Sequence, residues 1–394
     1  MNYDVAIVGI GISKFGRRDD VSFPELAWES IKDALDDASL SQKDIKYLIV
    51  SNIGVWSSEP LPAVVISEYA GLTPIGSCRV EAACASGSAG ILLGYNLIRS
   101  GLYDIVMIVG IEKMFESTTP YVVEYLGRMG NYQWEFENYG LTFPGYYAMY
   151  MNAYMDRYGA TEEDFCKIAV KNHYYGARNP KAQFRKEITC EDCMKSRYIA
   201  WPIKLFDCSP ITDGSATIIL ARGDIVKSIT DTPIWIRGLG VATGTSNLSR
   251  RSTYLSLESA ALAAEQAYRM AGIDLDNPTR HIDVADVHDC FTIAEVIAYE
   301  DLRFCRRGEG YILAREEQTY IGGKIPVNLD GGLKAKGHPI GASGVAMAVE
   351  AVKQLRQEAE SERQAPIRNG YALTHNVGGT GHYAYVIIYS LDRR

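Results

Sequence analysis

A faint internal duplication constrains this chain more than any other feature, because two stretches with the same order of elements are expected to fold as two similar halves. Near the N-terminus, Val5-Ala6-Ile7-Val8-Gly9-Ile10-Gly11 reads as a buried strand. A helix opens at Ser22 with Glu25 three residues on, a capping-box pattern. Its apolar stripe follows as Ala27, Ile31, Ala34, Leu35 and Ala38, and Ile45 to Val50 is the next strand. The order returns past the middle of the chain. Ile234 to Gly240 is strand-like, Leu257 to Met270 is helical and stops at Gly272, and Ile282 to Val287 is again a strand.

The second part of each unit also matches. Ser77 to Cys84 leads into a helix rich in small residues, Ala85-Ser86-Gly87-Ser88-Ala89-Gly90, followed by an apolar strand from Tyr103 to Gly110. Its counterpart runs from Lys336 through Gly337-His338-Pro339-Ile340-Gly341-Ala342-Ser343-Gly344 into a helix to Leu355, then a strand near Ala384 to Tyr389. Strands alternating with helices imply an α/β fold with a mostly parallel sheet. Glycine and serine each weaken a helix by several tenths to about 1 kcal/mol relative to alanine. Close packing against another backbone offsets that cost, so both helices are expected in a central buried layer between two sheets.

Between the halves, roughly Phe115 to Leu205 is rich in tyrosine and charge, carries Asn179-Pro180, and lacks βα alternation. It reads as an inserted lobe, and long insertions in compact α/β proteins are usually functional. The expected boundaries are 1–116 with 205–228 for the first half, closed by a strand at Ala216 to Ala221, then 117–204 for the lobe and 229–394 for the second half.

A net charge of −8 over 394 residues argues against nucleic acid or an anionic membrane as the main partner. No apolar run approaches the roughly 20 residues of a membrane helix. The opening Met1-Asn2-Tyr3-Asp4 shows no basic signal region, and the closing Leu391-Asp392-Arg393-Arg394 is no peroxisomal address. Eight dispersed cysteines do not suggest a disulfide framework. A cytoplasmic protein with reduced thiols is the expectation.

Four positions carry potential chemistry. Cys84 lies at the start of a Gly/Ala/Ser helix, where the helix dipole is expected to lower a thiol pKa and favour the thiolate. Taken alone, it reads more readily as a buried structural cysteine, the commoner fate of a single cysteine. His338 opens the equivalent helix of the other half, where a helix N-terminus keeps imidazole neutral and able to accept a proton. Such helices can meet head-on and bring Cys and His together. His288-Asp289-Cys290-Phe291 follows a strand, where α/β sites gather. Asn376-Val377-Gly378-Gly379-Thr380-Gly381 is a turn whose amides can face an oxyanion. Other signals are discounted. Cys190-Glu191-Asp192-Cys193 has no second pair to complete a zinc site. Gly9-x-Gly11 lacks the rest of a dinucleotide fingerprint.

These four blocks, in this order, resemble the signature blocks of the thiolase superfamily: Cys84-Ala85-Ser86, His288-Asp289-Cys290-Phe291, Gly337-His338-Pro339 and Asn376-Val377-Gly378. The likeness spans the chain and includes Lys171-Asn172-His173 and Ser209-Pro210-Ile211-Thr212-Asp213-Gly214. Asn376 stands where many thiolases carry a second catalytic cysteine. The pattern is similar to sterol-carrier-protein-type thiolases and the archaeal and bacterial acetyl-CoA acetyltransferases allied to them.

The resemblance implies duplicated βαβαβαββ halves in a five-layer αβαβα core, with an inserted loop domain. It implies Cys84 as acyl-accepting nucleophile, His338 as its base and Cys290 as the acid/base for the α-proton. Oxyanion donors would be the amides of Cys84 and Gly378 at one centre, and His338 with His288 at the other; Ser209 would line the pantetheine tunnel. Coenzyme A enters as substrate, and no permanent cofactor or metal is implied. The implied activity is acetyl-CoA C-acetyltransferase feeding isoprenoid synthesis by the mevalonate route. A degradative 3-ketoacyl-CoA thiolase for longer or sterol-like chains and a non-catalytic CoA-binding scaffold are the rivals. A homodimer or tetramer is implied, as is association with hydroxymethylglutaryl-CoA synthase through a zinc-ribbon/OB-fold protein.

Overall fold

A computed structural model describes residues 3–57 and 59–393; Met1, Asn2 and Arg394, on which part of the terminal reading rests, lie outside the described residues. In chain order the first half contains β1 (Val5–Ile12), α1 (Phe23–Asp37), β2 (Tyr47–Ser51), α2 (Pro62–Tyr69), β3 (Gly76–Val80), α3 (Ser86–Arg99) and β4 (Ile105–Lys113). Four helices follow, α4 (Thr119–Gly127), α5 (Phe143–Tyr158), α6 (Glu162–Arg178) and α7 (Cys190–Lys195), then a small hairpin, β5 (Tyr198–Ala200) and β6 (Ile203–Lys204). β7 (Asp213–Arg222) returns to the first half. The second half runs β8 (Ile234–Thr243), α8 (Glu258–Ala271), β9 (Val284–Val287), α9 (Thr292–Asp301), α10 (Gly310–Arg315), α11 (Ile340–Arg356), β10 (Tyr371–Gly378) and β11 (Tyr383–Ser390).

The strands line up as β3-β2-β4-β7-β1 and β8-β11-β10-β9. The two groups join at β1 and β8 through only Ala6–Trp235 and Ile7–Ile234. An isolated parallel bridge from Val327 to Ala285 occupies, beside β9, the place β3 holds beside β2. The duplication is thus visible strand for strand. Only β2–β3, β2–β4 and β9–β10 are parallel; the other strand pairs of this sheet are antiparallel, which corrects the expectation of a mostly parallel sheet. β10 and β11 are joined by a four-residue turn, too short for a parallel crossover. β7 comes back from the inserted lobe and runs against both β4 and β1.

Three apolar clusters define the layering. One packs α1 and α2 on the outer face of the first half, one surrounds α3 and α11 between the halves, and one packs α8 and α9 with the lobe on the far side. The sequence of layers is αβαβα. Gly9 and Gly11 have a clear role here: a Cβ on either would run into the carbonyl oxygens of Ala34 or Ser30 in α1. Gly238 and Gly240 of β8 meet Ala267 and Ala263 of α8 in the same way. The repeated Gly-x-Gly lets a helix lie directly on a strand.

The small residues of the central helices are explained likewise. A Cβ on Gly87 of α3 would sit 2.6 Å from the amide nitrogen of Val345 and 2.8 Å from the Cα of Gly344, both in α11. These are backbone atoms and cannot step aside alone. Gly87→Ala is therefore expected to lower stability by about 1–3 kcal/mol, read as an earlier denaturant midpoint, and to lower activity because both helices carry site residues.

Cys166 and Cys190 are joined by a disulfide between α6 and α7, with Cα atoms 5.7 Å apart. This departs from the expectation of reduced thiols at both positions. The Thr189–Asp192 capping box starts α7 against α6, an approach the cysteine spacing could not reveal. Among the described residues, no helix is long and apolar enough to cross a membrane.

Candidate active site

The site is assembled where α3 and α11 begin. Ala83, with φ of +51°, turns the chain sharply before Cys84. The Ser86 hydroxyl fixes that turn, accepting from the Ala82 amide at 2.9 Å and donating to the Ala83 carbonyl at 2.6 Å. On the other side Gly337, with φ of +118°, delivers His338, whose amide donates to Thr212 Oγ1 at 2.9 Å. His288 and Cys290 follow the end of β9. A sulfur of Cys84 and one ring nitrogen each of His288 and His338 all lie within 4.8 Å of one another. The two imidazoles meet edge to face at 5.3 Å.

Hydrogen bonds assign the two histidines different protonation patterns. The single Ser343 hydroxyl proton is donated to the Pro339 carbonyl at 3.0 Å, so the 2.7 Å contact with His338 Nδ1 has the ring nitrogen as donor. His338 Nε2 then carries a lone pair. Asn376 Nδ2 donates to the Cys84 carbonyl at 3.0 Å and approaches His288 Nδ1 at 3.3 Å, while its Oδ1 accepts from Ser88. His288 Nδ1 is therefore an acceptor and its Nε2 an N–H, which is buried without a partner. One imidazole can take a proton; the other presents a free donor. The Cys84–His288–His338 triad has a spacing that could close on a thiophilic cation. With His288 Nε2 protonated, it offers two lone-pair ligands where three are needed.

Cys84, Cys290 and His338 line one cavity of about 370 Å³, walled mainly by apolar side chains such as Met114, Val122, Leu126, Phe143 and Ile340, with Arg197 also on its lining. Ser209 lines it too, and its amide donates to the Cys290 carbonyl at 2.9 Å. Gly378 packs against the Ala82 carbonyl, and the amide that acts on the Cys84 sulfur belongs to the next residue, Gly379. Two wider surface hollows, lined by Arg18 and Glu29 or by Phe184 and Lys195, contain none of these groups.

Burial dominates the electrostatics. It pushes the Cys84 thiol up to about 12, although its own amide and that of Gly379 pull the other way. The expectation of a lowered thiol pKa is thus corrected: desolvation outweighs the helix terminus. Burial and, to a lesser degree, Lys336 pull His338 down to about 3, and burial puts His288 well below an ordinary histidine. The Cys290 thiol is raised well above its usual range, chiefly by burial, against a stabilising contribution from the Tyr147 hydroxyl. At rest the site holds neutral thiols beside neutral imidazoles.

Several supporting groups escaped sequence reasoning. Asp289 accepts from the amides of Leu333 (2.6 Å) and Lys334 (3.1 Å) and from Asn172 Nδ2 (2.7 Å), tying the end of β9 to the segment that leads into His338. Glu112 is fully buried at the end of β4. It accepts from Asn52 Nδ2 and from the amides of Ile53, Gly54 and Gly341, fixing the first turn of α11. Burial raises its pKa to about 7. A carboxylate closing an apolar strand was the one signal that could have exposed it. Glu295 gathers Lys171, Asn172, Asn328 and Tyr299, which accounts for the Lys171-Asn172 pair in structural terms.

Comparison with known proteins converges on one family. Residues 5–200 match the family model "Thiolase, N-terminal domain" and 240–391 match "Thiolase C-terminal domain-like". The acetyl-CoA acetyltransferase of Methanothermobacter thermautotrophicus is 40% identical over 98% of this chain and 99% of its own length. That of Methanocaldococcus jannaschii is 38% identical over 99% of this chain and all of its own. Among solved structures, the Ltp2-ChsH2(DUF35) aldolase superposes with a TM-score of 0.86 at 26% identity, covering 100% of this chain and 99% of that one.

Proposed function

This chain belongs to the thiolase family, and from that premise we propose that it is an acetyl-CoA C-acetyltransferase. It joins two acetyl-CoA molecules into acetoacetyl-CoA and CoA, or runs the reverse thiolysis, through a cysteine acyl-enzyme. The observation that carries the reading is the meeting of the Cys84 sulfur with His338 and His288 at an apolar cavity that Cys290 also lines.

The protonation pattern supports an order of events. The Cys84 thiol attacks the thioester carbonyl as its proton passes to the lone pair on His338 Nε2. The free His288 N–H and the amides of Cys84 and Gly379 are the donors that would meet the negative oxygen. As the tetrahedral adduct collapses, the C–S bond to CoA breaks and Cys290, protonated at rest, gives its proton to the departing CoA sulfur. Acetyl-Cys84, a Cys290 thiolate and a His338 imidazolium remain. The Cys290 thiolate removes an α-proton from a second acetyl-CoA, and the resulting carbanion attacks the acetyl carbonyl. A carbon–carbon bond forms, the bond to Cys84 breaks, and the sulfur recovers its proton from His338. Each group ends as it began.

Cys290→Ala separates the two halves of this scheme. It is expected still to accept an acetyl group on Cys84, more slowly because the CoA sulfur then departs without its proton donor, seen by mass spectrometry of the intact chain, and to lose condensation by about 10²–10⁴-fold, the range of general acid–base contributions. An unmodified Cys84 in the wild-type protein after incubation with acetyl-CoA would instead favour a CoA-binding scaffold.

The same reading places the protein in the cytoplasm, supplying acetoacetyl-CoA to isoprenoid synthesis by the mevalonate route. It also extends to a homodimer or tetramer, and to a zinc-ribbon/OB-fold partner bridging it to hydroxymethylglutaryl-CoA synthase. The pairing of Ltp2 with ChsH2(DUF35) in the similar aldolase supports the idea of an accessory protein. Light scattering of the purified protein, alone and with candidate partners, tests this.

A further inference from the structure

Helix α5 buries four tyrosines, Tyr146, Tyr147, Tyr150 and Tyr154. Three of their hydroxyls have partners. Tyr146 donates to Glu135 Oε2 at 2.8 Å, Tyr154 donates to Glu300, and Tyr150 accepts from Arg251. The Tyr147 hydroxyl is buried with no oxygen or nitrogen partner, and the polar side chain that acts on it most is the Cys290 thiol. Its ring stacks on Phe291 with centroids 4.5 Å apart and planes at 23°, which sets the phenol beside the residue that follows Cys290. The ionisable groups acting on Tyr147 are Cys290, Tyr150 and Cys84; those acting on Cys290 are Tyr147, Cys84 and Asp289.

This leaves Cys290 with an unusual requirement. It must hold a negative charge between protonating CoA and taking the α-proton, in a buried setting that disfavours charge. Tyr147 supplies an O–H with no other engagement. A phenylalanine would fill the same stack, so the hydroxyl contributes nothing to the packing that the ring does not already provide.

We propose that the Tyr147 hydroxyl is the hydrogen-bond donor that stabilises the Cys290 thiolate during α-proton transfer, making Tyr147 a positioning residue for carbon–carbon bond formation. The phenol keeps its proton throughout, and the donated hydrogen bond forms when Cys290 loses its own. Burial and the neighbouring thiols hold Tyr147 protonated, as this role needs. The inference rests on the reading of Cys290 as the acid/base, and the test separates the two.

The experiment uses the full chain with Tyr147→Phe and Cys290→Ala. Three quantities are measured: acetylation of Cys84 by acetyl-CoA, exchange of the acetyl methyl protons of acetyl-CoA into D2O followed by NMR, and the thermal midpoint. Tyr147→Phe is expected to slow exchange and condensation by about tenfold or more, with the final extent of Cys84 acetylation, KM and thermal midpoint unchanged. Wild-type exchange in Tyr147→Phe, with exchange lost in Cys290→Ala, overturns the proposal and leaves the role of Cys290 standing. Undiminished exchange in Cys290→Ala overturns both. Failure of Tyr147→Phe to reach full acetylation of Cys84 however long the incubation, or a collapsed thermal midpoint, assigns Tyr147 a purely structural role and also overturns the proposal.

Discussion

Replacing Cys84 by serine is expected to reduce both condensation and thiolysis by about 10³-fold or more while leaving the fold intact. The side chain is 3% exposed and differs from serine by one atom, so packing changes little. What changes is the nucleophile. A thiol is already difficult to ionise at this site, where burial pushes it up to about 12. An alcohol starts from a far higher pKa and meets the same desolvation, so the His338 lone pair has much less prospect of drawing its proton away. The acyl-enzyme must then form as an oxygen ester, which is a poorer acyl donor to a carbanion than a thioester. The measurements are the steady-state rate in both directions and the mass of the chain after exposure to acetyl-CoA. Wild-type turnover by Cys84→Ser would remove covalent catalysis at this residue from the account.

The resting electrostatics sharpen this expectation. A lowered cysteine pKa would give a stored thiolate–imidazolium pair, reactive toward any electrophile that entered. Burial instead gives a neutral pair, so charge appears only when a thioester carbonyl is present to receive the sulfur. In the proposed scheme the oxygen charge would then develop near the free His288 N–H and the forming imidazolium. Each new charge is accompanied by an opposite charge or a fixed donor, which is how a low-dielectric site favours the transition state over the resting state.

The sequence displayed the features that depend on local pattern. The Ser22/Glu25 capping box, the stripe of α1, the Gly272 stop of α8 and the small-residue starts of α3 and α11 were all legible, because each is written within a few neighbouring residues. The pairing of β7 between β4 and β1 was not, since strand direction after so long a stretch of helices has no local signature. Nor did local pattern reveal that Asn376 would orient His288 while holding the Cys84 carbonyl, or that Asp289 would bind the segment leading to His338. Those contacts join residues 44 to 292 positions apart. The sign of the Cys84 shift was misread for a related reason: a helix start is visible in sequence, whereas the depth at which it is buried is set by the whole fold. Tyr147 is the plainest case. Nothing distinguishes it among the tyrosines of α5 until the hydroxyls of its neighbours are accounted for one by one.

His338→Ala is expected to bring a loss comparable to that of Cys84→Ser, about 10³-fold in kcat/KM, by removing the acceptor for the thiol proton. Alanine keeps the backbone amide that donates to Thr212 Oγ1 and leaves an imidazole-sized space open to the cavity. Added imidazole should therefore restore part of the activity, an effect that a general loss of structure would not produce. The wild-type pH profile provides an independent check. An ordinary histidine base, protonating near 6.5, would shed activity as the pH fell through that value. His338 is held down to about 3 by burial and Lys336, so its lone pair persists on acidification, and no loss of activity between pH 6.5 and pH 5 should be traceable to it. An acid limb centred near 6.5 in the wild-type profile would contradict the lowered pKa of this ring, and full activity of His338→Ala without imidazole would contradict its assignment as the base.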